Sequence, residues 1–321
     1  MKIGLIDCDY GSGKKPFPNL ALMKISGWWK YAGADVVEWY DFTSHYDIVY
    51  VSKVFSWTED YRMPINADKI IRGGSGYQIR LQDGKEVWKH AIPFGNGFQP
   101  YLPYEIEHMY PDYSIYGITD TAYGFLTRGC PRGCAFCHVA KKEGCKSIKV
   151  AGLSEFWHGQ KNIVLLDPNL LACKDRIDLL QQLIDSGCRI DFTQGLDARM
   201  LDDQTCDMLS EMRIKNIHFA WDKYEDGDVI LPKLEMFAKR KYAGKNPNHN
   251  AIVYTLTNFD TTVDEDLDRI YRLRDMGYWA YVMIYDKQNA DKEHKDMQRW
   301  ANNRKIFAVC PDFRQYKKLK K

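Results

Sequence analysis

The 321-residue sequence has no uninterrupted apolar run near the roughly eighteen residues that a membrane-spanning helix requires. It also lacks a surplus of either charge. Forty-five basic residues face 43 acidic ones, and the net charge of +2 exerts no general pull toward nucleic acid or an anionic membrane. No internal repeat and no low-complexity block is present, which argues against a solenoid or a long disordered arm. The opening Met1-Lys2-Ile3-Gly4-Leu5-Ile6-Asp7 turns acidic too soon for a secretory signal and reads as a first strand. His45, His90, His108, His158, His218, His249 and His294 stand in no H-E-x-x-H or H-x-x-E-H pattern, so a zinc-peptidase helix is not expected. The nine cysteines are odd in number and are not spread like a disulfide framework. The expectation is therefore a cytoplasmic chain with reduced thiols and no membrane partner. The basic tail Gln315–Lys321 is expected to be a frayed, solvated terminus.

What is present is a rhythm of short apolar runs and amphipathic segments. Lys2–Cys8 reads as a strand, Asn19–Gly33 as a helix, and Asp35–Trp39 and Ile48–Val51 as β-branched strands. Ile70–Gly73 leads into the glycine-rich Gly73-Gly74-Ser75-Gly76. This alternation predicts an open, mostly parallel α/β sheet over residues 1–76. Residues 77–118, with Pro93, Pro100, Pro103 and Pro111, read as an irregular connection. From 119 to 321 the alternation returns. Ile163–Leu166, Ile190–Thr193, Ile217–Ala220, Ala251–Leu256 and Tyr281–Ile284 are strands with helical segments between them, such as Asp175–Gly187 and Asp264–Met276. With the strand that enters the cysteine-rich loop, these make about six βα units. That number suits a partial (β/α)6 barrel, whose active site would lie at the C-terminal strand ends.

Three of the nine cysteines are concentrated in Thr127-Arg128-Gly129-Cys130-Pro131-Arg132-Gly133-Cys134-Ala135-Phe136-Cys137-His138. The spacing C-x3-C-x2-C lets three thiolates face one [4Fe–4S] cluster and leaves one iron open to an outside ligand. Rival readings are a C-x-x-C-H haem attachment, which leaves Cys130 unexplained, and a zinc knuckle completed by His138 or Cys145. Pro131 and Gly133 favour a bent loop whose backbone N–H groups point at sulfur, so the iron–sulfur reading leads. Cys8, Cys173, Cys188, Cys206 and Cys310 read as small buried hydrophobes, and Cys145 as a thiol of the following loop.

The Gly-Cys-Pro-x-Gly-Cys-x-Phe-Cys form of this loop resembles the signature of the radical SAM superfamily. The resemblance implies that Cys130, Cys134 and Cys137 hold the cluster, that S-adenosylmethionine occupies the fourth iron, and that Phe136 lies near the adenine. Leu165-Leu166-Asp167-Pro168-Asn169 resembles a strand-end motif of the same enzymes and implies that Asp167 and Asn169 face the site. Asp-Pro-Asn is also ordinary turn chemistry. Asp191-Phe192-Thr193-Gln194-Gly195-Leu196-Asp197-Ala198-Arg199 resembles a ribose- and carboxylate-binding segment, which nominates Gln194, Asp197 and Arg199; a structural Asp197–Arg199 ion pair is the plain alternative. Asp222, after Ala220-Trp221, stands at a further strand end, and Tyr254 and Asn258 are weaker candidates. The Gly-Gly-Glu run that many members carry after the second strand is missing.

Residues 1–76 resemble, more loosely, the Rossmann-like cobalamin-binding domain of one radical SAM branch, although the Asp-x-His-x-x-Gly motif is absent. The implied activity is reductive cleavage of S-adenosylmethionine to a 5′-deoxyadenosyl radical that abstracts hydrogen from a substrate. An electron donor such as flavodoxin or ferredoxin is the implied partner. A cobalamin-dependent methyl transfer and a non-catalytic iron–sulfur protein are the alternatives. Neither charge nor aromatic content separates a peptide, nucleoside, RNA or small metabolite as the substrate.

Overall fold

In the computed structural model, the residues described are 1–10, 17–82, 85–88, 98–99, 102–242 and 250–319, without the side chains of 80–88, 98–99 and 318–319. His90, Pro93, Pro100, His249, Lys320 and Lys321 therefore lie outside the described residues. The chain is a mixed α/β protein that divides into two units. One is Met1–Tyr123 with Ser154–Gln160, and the other is Gly124–Leu153 with Lys161–Lys321.

In the first unit the apolar run Lys2–Asp7 is buried along nearly its whole length, as a central parallel strand requires. It pairs in parallel with Val36–Trp39 on one side and Tyr46–Ser52 on the other; Ala67–Gly73 and Phe98–Gln99 continue the sheet. The chain thus leaves the first strand in opposite directions for the second and third, which sets a topological switch point at Asp7 and Ser52. Helix Leu20–Tyr31 begins where the Asn19 side chain accepts from the Leu22 N–H, and it buries Leu22 and Ile25 against Ile3, Leu5 and Tyr50. The opposite face packs Ile6, Tyr46, Val49 and Val51.

Residues 102–118, read above as part of an irregular connection, contribute to this interior. Ile106 joins the Ile3–Leu22 cluster, and the Tyr113 hydroxyl donates to the Phe156 carbonyl at 2.7 Å. Composition registered the prolines there but not the packing between them.

The second unit's sheet runs in strict chain order through Asn162–Leu165, Arg189–Leu196, Arg213–Ala220, Ala251–Thr257 and Trp279–Ile284, and these five strands pair in parallel. Residues in register share a face, so Phe192, Ile217, Ala251 and, one step on, Phe219 and Val253 form a fully buried row. Helices pack on that row. Their starts are written locally: Asp202 with Thr205, and Thr262 with Glu265, form capping boxes. Helix Val263–Asp275 places three acids in its first turn and Arg272 and Arg274 in its last, complementing its dipole. The opposite face of the sheet carries Asp191, His218, Tyr254 and Tyr281.

The C-terminal tail departs from expectation. Phe313–Leu319 is a helix, and Phe313 is buried against Trp300, with its N–H on the Tyr271 hydroxyl. Two aromatic residues three apart anchor the segment where its lysines suggested fraying.

Candidate functional site

Strand Thr127–Arg128 delivers the chain into the cysteine loop at Gly129, whose φ of +82° is open chiefly to glycine. A Cβ on Gly129 would stand 2.2 Å from the Lys146 carbonyl oxygen, so a side chain is excluded on two grounds. The loop closes on itself. Cys130 N–H donates to the Gly144 carbonyl, Gly129 N–H donates to Glu143, and Arg128 pairs with Glu143 at 3.1 Å. Cys137 N–H donates to the Cys134 carbonyl in a tight turn. All three thiols are half-buried. Burial pushes the Cys134 and Cys137 thiols upward, and the other loop cysteines and Asp222 push in the same direction. In the metal-free loop these effects favour the thiol form of Cys134 and Cys137, and a bound cation would favour the thiolates.

Two neighbouring strand ends meet this loop. Asn169 is buried, and its Nδ2 donates to Cys130 Sγ at 3.4 Å while its Oδ1 has no partner among the described residues. Asp167 faces the loop's approach instead. It accepts from the Leu126 and Thr127 N–H groups and from the Thr127 hydroxyl at 2.7 Å. Burial raises its carboxyl to about 6, with those donors opposing the rise. Asp167 is thus the peg that fixes the strand leading into the cysteines.

Asp197 and Arg199 form the ion pair that the plain alternative anticipated, with Arg199 Nε 2.7 Å from Asp197. The pair belongs to a larger network. Arg132, inside the cysteine loop, donates to Asp197 at 2.5 Å, and Arg199 also reaches Asp226 at 2.6 Å. Burial works against the Asp197 carboxylate, but Arg199 and Arg132 outweigh it and hold the carboxyl below its ordinary range. Gln194 is exposed in a bulge of strand Arg189–Leu196 and joins no part of this network.

Asp222, like Asp191 and Asp266, keeps one carboxylate oxygen buried and without a hydrogen-bond partner among the described residues. Burial raises the Asp222 carboxyl to about 6 against the pull of Arg269. Arg269, fully buried, donates to the carbonyls of Trp221, Asp222 and Leu256 and to Asp266, and so clasps two adjacent strand ends. Phe136 packs edge-on against Phe259 at 5.5 Å, and Phe259 against Tyr285 at 4.8 Å. Asn258, with φ of +61°, donates to the Tyr285 carbonyl and serves the turn; the Tyr254 hydroxyl donates to the Thr193 carbonyl.

The site thus brings together Cys130, Cys134, Cys137, Asn169, Asp197, Arg199 and Asp222. Sequence reading missed Arg132, Asp226, Arg269 and Phe259. Of these only Arg132, lying between two of the cysteines, carried a local signal. Cys173, Cys188, Cys206 and Cys310 are buried as expected, whereas Cys8 is half-buried beside Asp60 and Cys145 is exposed. Among the described residues no three His, Cys, Asp or Glu side chains close on a point suited to a single metal ion. A cube of iron and sulfide is bulkier than one ion and asks its ligands to stand further apart. The donor set, three half-buried cysteines within one eight-residue loop, has the chemistry of a cube's ligands. No protein-family model matches the chain, and no curated protein is detectably similar to it.

Proposed function

We propose that the chain is a radical SAM enzyme in which Cys130, Cys134 and Cys137 hold a [4Fe–4S] cluster. The sequential strand order of the second sheet supports a partial barrel, and the switch point of the first sheet supports a Rossmann-like unit. The observation that carries the reading is the contact from Asn169 to Cys130 Sγ, which draws a second strand end onto the cysteine loop. When bound and reduced, the cluster supplies the electron that cleaves S-adenosylmethionine to methionine and a 5′-deoxyadenosyl radical.

The chain's own residues do the rest. Asn169 donates to a ligand sulfur, which tempers the charge on it. The Arg132–Asp197–Arg199–Asp226 network ties the cysteine loop to the strand ends and leaves few free charges there. Asp222 and the Asn169 Oδ1 offer unpaired acceptors for the hydroxyl or amino groups of the methionyl nucleoside. Phe136, backed by Phe259, offers an apolar wall for its base and keeps water from it.

Anaerobic reconstitution tests the proposal. Expected are about four irons per chain and, with dithionite and S-adenosylmethionine, 5′-deoxyadenosine formed at a rate proportional to enzyme. A chain that takes up zinc, or iron without nucleoside formation, would overturn it. Titration with hydroxocobalamin separates the methyl-transfer alternative, for which no described histidine stands at the Asp7, Ser52 or Gly73 strand ends.

A further inference from the structure

Strand Arg189–Leu196 pairs Phe192 with Ile217 and then Gly195 with His218, so Thr193 and Gln194 have no counterpart in the neighbouring strand. A bulge of this kind leaves carbonyl groups without ladder partners. Two side chains take them. His218 Nδ1 lies 2.6 Å from the Phe192 carbonyl oxygen, and the Tyr254 hydroxyl donates to the Thr193 carbonyl at 3.1 Å. A carbonyl oxygen only accepts, so Nδ1 carries the hydrogen and Nε2 holds a lone pair in the ring plane. Burial lowers the imidazole's proton affinity against the opposing effects of the Phe192 carbonyl and Asp191, which favours the neutral ring.

The His218 ring lies nearly parallel to that of Tyr254, at 5.0 Å and 12°. Tyr281 stands edge-on to Tyr254 at 5.9 Å and is 37% exposed. His218 is only half-buried, and Nε2 has no partner among the described residues. Beside the stack Gly195 contributes no side chain; a Cβ there would come within 3.5 Å of the Tyr254 ring.

We infer that this face of the second sheet binds a planar, uncharged ring that carries an N–H donor in its own plane. A donor accepted by Nε2 lies in the imidazole plane, which runs nearly parallel to Tyr254, and contact with the aromatic face then sets the rotation of a flat ligand about that bond. The ligand is taken as uncharged because the nearest charges pair with one another: one Asp191 oxygen lies 3.4 Å from Lys215 and accepts from Asn216, while the other is buried and has no partner among the described residues. His218 lies on strand Arg213–Ala220, and Asp222 follows two residues beyond the end of that strand. The inference rests on the proposed function for why a substrate would lie there, but not for its binding.

Uracil and 1,3-dimethyluracil, which has the same ring without N–H groups, are the probes. The full chain with 15N-labelled histidine is expected to show a protonated Nδ1 and a bare Nε2 at His218. Uracil should shift the Nε2 resonance saturably, and dimethyluracil should not. His218→Phe keeps a ring on Tyr254 and should abolish the uracil response of the Gly195 amide. Gly195→Ala should weaken uracil at least tenfold with the tautomer unchanged, which holds even if the phenylalanine variant misfolds. A proton on Nε2, no saturable response to uracil, equal responses to both probes, or undiminished uracil affinity in Gly195→Ala would each overturn the inference. Nucleoside formation by the reconstituted wild type reports separately on the radical chemistry and does not enter this titration.

Discussion

The two sheets end their strands in opposite ways. At the first sheet's carboxyl ends the polar groups satisfy one another. Asp7 accepts from the Tyr116 hydroxyl, Asn19 donates to Ser52, and Asp60 gathers the Tyr77 hydroxyl, the Cys8 thiol and Arg72. Even the glycine-rich turn is spent on packing, since a Cβ on Gly74 would lie 2.3 Å from the Lys53 carbonyl oxygen. At the second sheet's ends Asn169 Oδ1 and Asp222 Oδ1 stay buried and unpaired among the described residues. An unpaired buried oxygen costs about 1–3 kcal/mol, and such a cost persists where a ligand offsets it. Polar residues at strand ends therefore do not by themselves mark a site; beside the cysteine loop two of them are left unsatisfied, although buried unpaired atoms also occur elsewhere, as at Tyr242 and Asn250.

The largest expected break in this contrast comes from the cysteines. Cys134→Ala or Cys137→Ala should reduce cluster uptake to background and abolish 5′-deoxyadenosine formation, whereas Cys8→Ala, in the self-satisfied unit, should leave both intact. Iron and sulfide content with nucleoside yield measures this, and equal loss in all three variants would refute the contrast. Next comes the tether between loop and strand end. Asp197→Asn removes the charge that Arg132 and Arg199 share, and cluster retention against a chelator should weaken by about 10- to 100-fold, the usual range for groups that orient ligands. Asp197 is held low, so its contribution is present above pH 3.8 and is lost as the pH falls through the depressed value.

The cysteine loop was legible because its pattern is local: three cysteines and the glycines beside them lie within the nine residues Gly129–Cys137. The strands were legible from apolar runs, as at Ile163–Leu165, and the helices from caps such as Thr262 with Glu265. What stayed hidden joins residues distant in sequence. Asp167 reads as a strand-end site residue, yet it serves the backbone at 126–127, some forty positions earlier. Arg269 sits within an amphipathic helix with nothing to announce that it clasps two strand ends. Periodicity says which face a residue occupies, and polar partners across a sheet follow from tertiary packing that no local pattern encodes. The bulge at Thr193–Gln194 is invisible for the same reason, since it exists only relative to the neighbouring strand's register.

A pair of buried carboxylates sharpens the comparison. Asp167 and Asp222 are both raised to about 6, yet the first is fully partnered and the second is not. Between pH 3.8 and about 6 the folded chain keeps protons that the unfolded chain has released, so each group makes stability fall as the pH rises through that window. In metal-free protein Asp222→Asn should stabilise by about 2–3 kcal/mol at pH 7 and flatten that part of the profile, following the ~1.4 kcal/mol carried by each pKa unit. Asp167→Asn should instead destabilise by about 1–3 kcal/mol, because an amide NH2 would face N–H donors. Thermal melts from pH 4 to 8 decide it, and two variants that move together would erase the distinction.

The smallest effect belongs to the first unit's strand ends. The Asn19 carbonyl accepts from the Leu22 N–H at the start of helix Leu20–Tyr31, while its NH2 donates to Ser52 at 2.8 Å. Asn19→Ala removes both bonds and should cost about 1 kcal/mol, as a lost cap does. Asn19→Asp keeps the cap, where a negative charge at a helix start is favourable. It turns the second bond around, since the Ser52 hydroxyl rotates to donate, and should recover most of the loss. Nucleoside formation should be unchanged in both. A first-unit variant that lost cluster chemistry while still folded would mean that its strand ends, however well satisfied, belong to the site as well.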